Sequence, residues 1–334
     1  MRPFSTEVLL CQRADAQIGE NRWMSIRSND PPGPGSPDLV RQLRRELANF
    51  EDIARHLMPT AGETPRLGGV DVFGGTLPLN GLVGGDHLIY VDFKQRFDLD
   101  ARIRAAHDEG RTEVEANLRR CQRMAGVAVI DVSGHQVTDA FMASMLHQAF
   151  LLGAIYELDQ FGSITRRLFE NLNARFYQSS GAHKFVSMIY GEISEDAQFR
   201  FISAAHPLPT VFSSEHDRFM HVEDDRRITF PPLGMLPSID SIDRQDIVSP
   251  LGFKDHYETN EWTLMGRGDI LLLHTDGLVE HQRDGEDYFP GRLEDAIRRV
   301  KHEPAAEIYR AITEDLLAFG RLLDDVTLVV IKRV

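Results

Sequence analysis

The chain has 334 residues, 42% of them hydrophobic and 26% charged, and its 37 Lys and Arg against 51 Asp and Glu give a net charge of −14. Such a chain can build one large or two medium domains with a real core, and wholesale disorder is excluded. The negative field opposes nonspecific binding to nucleic acid or anionic lipid, while Cys11 and Cys121, the only cysteines, exclude a disulfide framework and a cysteine-based zinc site.

No stretch approaches the ~18 apolar residues of a membrane span, and the N-terminus lacks the apolar core of a signal peptide. A reducing cytoplasm is the expected location, with neither nucleic acid nor membrane as partner.

Residues 1–35 show no periodicity and end in NDPPGPGSP, so a flexible tail is expected. At Ser36-Pro37-Asp38 an N-cap serine, a proline at the first helical position and an acid in the first turn open a helix over 36–59. It carries Leu39, Leu43, Leu47, Phe50, Ala54 and Leu57 at three- and four-residue steps until Pro59. That stripe can dock on the domain that follows or pair with a second copy as a homodimer.

Residues 60–334 read as one domain of short strands and helices. A charged run at about 98–123, with Ile103, His107, Gly110, Val114, Leu118 and Cys121 at helical spacing, predicts an exposed amphipathic helix inserted between strands. A strand at 126–132, helices near 138–158 and 162–178, strands at about 184–193, 198–204, 209–213 and 269–275, helices near 291–302 and 304–320 and a last strand at 326–332 follow. Strands and helices come in blocks, which favours an α+β fold with antiparallel sheet.

Four acidic sites stand where an apolar strand meets a turn: Asp86 after two glycines, Asp131 after GVAVI, Asp276 in HTDG, and Asp324 with Asp325 before VTLVVI. Any one of them reads as an Asx turn. Brought to one sheet edge, the four would repel each other unless cations lay between them. Oxygen-only ligands suit Mg²⁺ or Mn²⁺, and two such ions ~3.5–4 Å apart can share a water and hold a phosphoryl oxygen for in-line attack. Phosphoester hydrolysis is the chemistry this arrangement serves.

The ordered series GGD (84–86), DVSGH (131–135), AAHPLP (204–209), PLGMLP (232–237), GDILLLHTDGLVE (268–280) and DDVTLVVI (324–331) resembles the bacterial SpoIIE-like branch of the metal-dependent PPM serine/threonine phosphatases. The resemblance covers roughly residues 45–334. It implies a sandwich of two antiparallel sheets flanked by helices, preceded by the N-terminal helix, with two Mn²⁺ or Mg²⁺ ions at one edge. Carried over by motif, Asp86, Asp131, Asp276 and Asp324 would be metal ligands, together with the backbone carbonyl of Val132. Asp325 would be an orienter or an alternative ligand, and Gly134 and Gly277 would flank the centre. The implied substrate is a phosphoserine or phosphothreonine protein, such as an anti-sigma-factor antagonist in a partner-switching pathway, with a regulatory protein as a further partner.

Some residues depart from the family pattern. Ile130 replaces a glycine before the second aspartate, and Gln136, Thr138 and Asp139 replace the glycine and Pro-Ala pair that usually follow. His135 is a candidate proton donor to the leaving oxygen, His206 reads as a satisfied structural histidine, and His274 reads as a packing residue. The competing reading is a catalytically weak or inactive module that keeps the fold and binds a regulatory partner. A nucleotide cyclase, suggested by GGD alone, is disfavoured because His87-Leu88 follows.

Overall fold

A computed structural model of the chain describes residues 37–57, 63–79, 84–134, 137–179, 185–223, 227–239, 249–263 and 266–334. The tail expected at 1–35 lies outside the described residues. The chain divides into two units, 1–50 and 51–334. Helix α1 is Pro37–Arg55, with Asp38 in its first turn.

The larger unit runs β1 (Val70–Leu77), β2 (Asp86–Asp92), a short α2 (Phe93–Arg96), α3 (Leu99–Asp108), α4 (Thr112–Cys121), β3 (Met124–Val132), α5 (Val137–Phe161) and α6 (Arg166–Ser179). It continues with β4 (Val186–Ser194), β5 (Phe199–Ala204), β6 (Thr210–Ser213), β7 (Arg218–Phe219), β8 (Asn260–Trp262), β9 (Ile270–His274) and α7 (Asp276–Val279). It closes with β10 (Gln282–Arg283), β11 (Glu286–Asp287), α8 (Gly291–Val300), α9 (Ala305–Phe319) and β12 (Val326–Arg333).

Two five-stranded sheets result, ordered β1-β12-β9-β6-β7 and β2-β3-β4-β5-β8, with antiparallel pairing throughout. Side chains of successive strand residues point to opposite faces, and here the alternation sorts them into layers. Val127 and Val129 of β3 join Leu88, Ile189, Leu271, Leu273 and Val329 in a cluster between the sheets. Ala128, Ile130 and Val132 face the other way, into a cluster with Leu146, Phe150, Leu158 and Phe169 of α5 and α6. On the far side Val326, Leu328 and Val330 pack with Leu293, Ile297, Ile312 and Leu316 of α8 and α9. β3 is therefore covered on both faces, which is why GVAVI reads as an unbroken apolar run instead of an alternating one.

The segment 98–123 differs from the single exposed helix that its spacing predicts. It is two helices, α3 and α4, broken at Gly110, whose φ is +69°. Gly110 N–H donates to His107 O at 3.0 Å and Arg111 N–H to Ala106 O at 2.8 Å, the paired bonds by which a left-handed glycine ends a helix. Leu99, Ile103, Ala106, Leu118 and Cys121 are buried in the helix–sheet core, so the insert is part of the packing.

The expectation that no stretch approaches a membrane span is also corrected. Thr138–Phe161 of α5 is long and apolar enough by composition. Leu146, Phe150 and Leu158 on one face fill the core, while Phe141, Met145, Leu152 and Tyr156 are exposed on another. A helix apolar on more than one side passes a hydropathy test whether or not it meets lipid.

α5 is tied to β2 by two buried histidines, with His87 Nε2 2.5 Å from His147 Nδ1. Burial first and then its neighbour hold His87 down to about 3, and burial first and then Arg96 hold His147 down to about 4. A folded-state value below the unfolded one means that the contribution of His147 is complete above pH ~6.5 and is lost as the pH falls from there toward its folded value. His147→Gln should therefore flatten the acid limb of stability, by on the order of 1–2 kcal/mol at pH 5, in urea titrations at pH 7 and pH 5.

Candidate active site

By the same alternation, Asp86 and Asp131 lie on the inter-sheet face at one end of the sandwich, and they stand opposite each other in the β2–β3 register. Ser187 is opposite Asp131 across the β3–β4 pair. From the other sheet Thr275 follows β9, and Thr327 lies on β12 two positions after Asp325. The apolar layer between the sheets thus ends in a polar cap built from both.

Asp86 is buried, and its Oδ2 accepts a hydrogen bond from Thr275 Oγ1 at 2.7 Å. Thr275 Oγ1 in turn accepts the Thr327 N–H at 2.9 Å, which ties the carboxylate of one sheet to the backbone of the other. Burial, then the charge of Asp131, push the Asp86 carboxyl well above the ordinary range, against the pull of the Thr275 bond. Asp131 is pushed up to about 7 by burial, then by Asp276, then by Asp324. Asp276 opens α7 half-buried, and burial, then Glu280 and Asp324, raise it as well. The acids of β2, β3, α7 and the β12 entrance are near enough to act on one another.

The two adjacent acids before β12 differ in surroundings. Asp325 is 2% exposed, and its Oδ1 and Oδ2 accept the N–H groups of Leu79 and Gly85, both at 2.7 Å. Asp324 is more exposed and accepts only the Asp325 N–H, at 2.8 Å, among its side-chain bonds described here. Both carboxylate oxygens of Asp325 therefore hold backbone N–H groups, one of them that of Gly85 immediately before Asp86.

Glycine permits this closeness. A Cβ on Gly85 would strike the carbonyl oxygens of Val132 and Gly134, and one on Gly277 would strike the backbone oxygen of Asp325. Gly134 has φ +118°, a conformation that only glycine adopts freely, and its Cα faces the Asp139 carboxylate. Because a backbone oxygen cannot swing aside as a side chain can, Gly277→Ala should cost about 1–3 kcal/mol by thermal denaturation.

Of the residues singled out in the sequence, Asp86, Asp131, Val132, Asp276, Asp324, Asp325, Gly134 and Gly277 meet at this end of the sandwich. His135 lies outside the described residues. His274 is buried, 3.2 Å from Thr210 Oγ1. His206 corrects its sequence reading as a satisfied structural histidine: it is buried, its Nδ1 lies 2.8 Å from Ser187 Oγ, and its Nε2 has no hydrogen-bond partner. Ser187, Thr275 and Thr327 were not legible as site residues, since a lone hydroxyl in an apolar strand carries no motif.

Two antiparallel sheets between helical layers, with acids gathered at one end, define the architecture of a PP2C-type phosphatase, and solved structures match it. The SiaA PP2C domain of Pseudomonas aeruginosa has a TM-score of 0.58 at 16% identity, covering 89% of this chain and 98% of that one. The RsbU and RsbW domains of Rv1364c from Mycobacterium tuberculosis give 0.56 at 20% identity, covering 81% and 61%. The phosphatase domain and regulatory fragment of SpoIIE from Bacillus subtilis give 0.53 at 17%, covering 79% and 63%. The chain thus spans less than two thirds of the Rv1364c and SpoIIE structures. A family profile described as Stage II sporulation protein E (SpoIIE) matches residues 122–334, and the chain belongs to that family. A search of curated protein sequences finds no match.

Proposed function

We propose that the protein is a Mn²⁺- or Mg²⁺-dependent phosphatase acting on phosphoserine or phosphothreonine in a protein substrate. The observation that carries this reading is the facing pair Asp86 and Asp131, with Asp276 and Asp324 close enough to raise the Asp131 carboxyl. The donor chemistry fits hard divalent ions: carboxylates joined by the Val132 carbonyl, with no thiolate among them. Among the described residues no three His, Cys, Asp or Glu side chains close into a ready ligand cluster. Burial and then neighbouring acids raise Asp86, Asp131 and Asp276, and a cation between them would relieve that repulsion.

When bound, a pair of such ions supplies Lewis-acid charge and lowers the pKa of a water. Asp86, Asp131, Asp276, Asp324 and the Val132 carbonyl would hold them. Thr275 fixes the Asp86 carboxylate, and Asp325 holds the backbone on which Asp86 is mounted. Membership of the family supports an anti-sigma-factor antagonist as substrate and a regulatory protein as further partner.

The test is turnover of p-nitrophenyl phosphate and of a phosphoserine peptide, with Mn²⁺, with Mg²⁺ and with EDTA. Turnover that requires the metal and ceases with EDTA is expected. Binding of phosphopeptide without turnover would establish the second reading instead, a phosphatase-fold module without activity, which the departures at Ile130 and Asp139 favour.

The α1 stripe supports a homodimer, because its Leu43 and Leu47 are exposed. Leu43→Glu combined with Leu47→Glu should halve the mass measured by light scattering and leave turnover of the small substrate within about twofold, since surface changes away from a site are nearly neutral.

A further inference from the structure

Ser187 and His206 form a buried pair beside the candidate centre. Ser187 Oγ lies 3.4 Å from Asp131 Oδ2 and 2.8 Å from His206 Nδ1. Ser187 is 8% exposed and His206 3%. A serine hydroxyl has one hydrogen to give, and here it has two neighbours that can accept it. Which one receives it depends on the imidazole tautomer. With hydrogen on Nε2, bare Nδ1 would take the serine hydrogen and Asp131 would lose its hydroxyl donor. With hydrogen on Nδ1, the ring donates to Ser187 Oγ, and the serine hydrogen is free to point at Asp131.

The surroundings hold the ring in this place at a cost. Nε2 is buried without a hydrogen-bond partner, and an orphaned polar atom in a native interior is uncommon enough to need a cause. The His274 backbone favours a proton on the ring, which at Nε2 would compete with an Nδ1–H form, but Nε2 stands outside ordinary hydrogen-bonding geometry, where such a pull is weakened. Burial first, then His274, hold His206 down to about 3, so the ring is neutral and carries a single N–H. Ala205 before it takes φ +51°, a left-handed conformation that costs alanine about 1–2 kcal/mol. Ser203 Oγ then pins the His206 carbonyl at 3.1 Å. A histidine serving only to fill space would not need a strained neighbour and an unpaired nitrogen.

We propose that His206, as the Nδ1–H tautomer, turns the Ser187 hydroxyl toward Asp131 and so fixes the orientation in which that carboxylate meets a divalent ion. Both are positioning residues, acting through Asp131. The inference rests on the proposed metal-dependent function and adds to it the outer pair that sets one ligand. Partners of this kind typically change metal affinity by ~10–100-fold when removed.

Calorimetric titration of the full-length chain with Mn²⁺ tests it. Ser187→Ala should weaken binding by about tenfold, while Ser187→Thr, which restores the hydroxyl on a strand that suits a β-branched residue, should recover most of the loss. His206→Asn should weaken binding to a similar degree. Combined with Ser187→Ala it should add little, because the two act through one hydrogen bond. The metal-free melting temperature of Ser187→Ala should fall by several degrees, because one His206 N–H is stranded, and Ser187→Thr should recover it. Weakened Mn²⁺ binding measured well below the melting temperature of the variant separates orientation from folding. Long-range ¹⁵N spectra of the His206 ring should show hydrogen on Nδ1.

Wild-type affinity in Ser187→Ala, or hydrogen on Nε2 as the major form, would overturn the proposal. If Asp131→Asn abolishes Mn²⁺ binding while Ser187→Ala leaves it untouched, only the positioning pair falls. A wild-type chain that takes up no Mn²⁺ would remove the proposed function and this inference with it.

Discussion

Asp131→Asn should reduce Mn²⁺-dependent turnover by on the order of 10²-fold or more, since even residues that merely orient a metal ligand cost ~10–100-fold. The substitution keeps the shape of the side chain, so the β2–β3 register that sets Asp131 against Asp86 should survive. What it removes is a charge that Asp86 experiences as repulsion. The metal-free variant should consequently melt higher than wild type, by a few degrees for about 1 kcal/mol of relieved repulsion in a domain of this size. Mn²⁺ should raise the wild-type melting temperature strongly and that of the variant little, because an ion stabilises only the state that binds it. Opposite movements of stability and activity in one variant would be difficult to obtain from a residue that serves only a turn. Unchanged turnover together with an unchanged Mn²⁺-induced shift would remove Asp131 from the site.

Much of this arrangement was legible in the sequence for a simple reason. An acid placed at the end of an apolar strand beside glycine is visible without knowing the partner strand, and Asp86, Asp131 and Asp276 all have that local signature. The fold class followed from the block order of strands and helices. The closeness of the acids depended on register, which local pattern does not encode. Asp86 meets Asp131 because β2 pairs with β3 across the whole α2–α4 insertion.

Other features were hidden by the same non-locality. His87 and His147 are 60 positions apart and are joined only by the packing of α5 on β2. Ser187 is one hydroxyl in an apolar strand, and its role emerges only when the β3–β4 register sets it opposite Asp131. The insert was misread because His107, Gly110 and Val114 continue a helical rhythm, while the left-handed φ of Gly110 ends one helix and lets another begin. The hydropathy of α5 was underrated because its apolar residues are interspersed with polar ones and lie on both its buried and its exposed sides.

The adjacent acids Asp324 and Asp325 should separate cleanly under mutation, with the larger effect on stability at Asp325. Asp325→Ala strands the buried N–H of Gly85 and the half-buried N–H of Leu79, each now bonded at 2.7 Å. At about 1–3 kcal/mol for each donor left unsatisfied, the variant should lose roughly 3–5 kcal/mol, a melting decrease on the order of 10 °C. Asp325→Asn should recover only part of this, since its amide offers one acceptor and turns a donor toward the other N–H. Asp324→Asn removes a charge from a more exposed side chain whose described bond is to the next residue in the chain, and should cost no more than about 1 kcal/mol of stability. Its effect should appear in Mn²⁺ affinity, measured by calorimetry beside the melting curves. The reverse pattern, with Asp324 governing stability and Asp325 governing metal affinity at little structural cost, would exchange their roles. The geometry opposes that exchange, because each Asp325 oxygen already accepts a backbone N–H, that of Gly85 beside Asp86 among them, and so has one lone pair fewer to offer an ion than an Asp324 oxygen that accepts none.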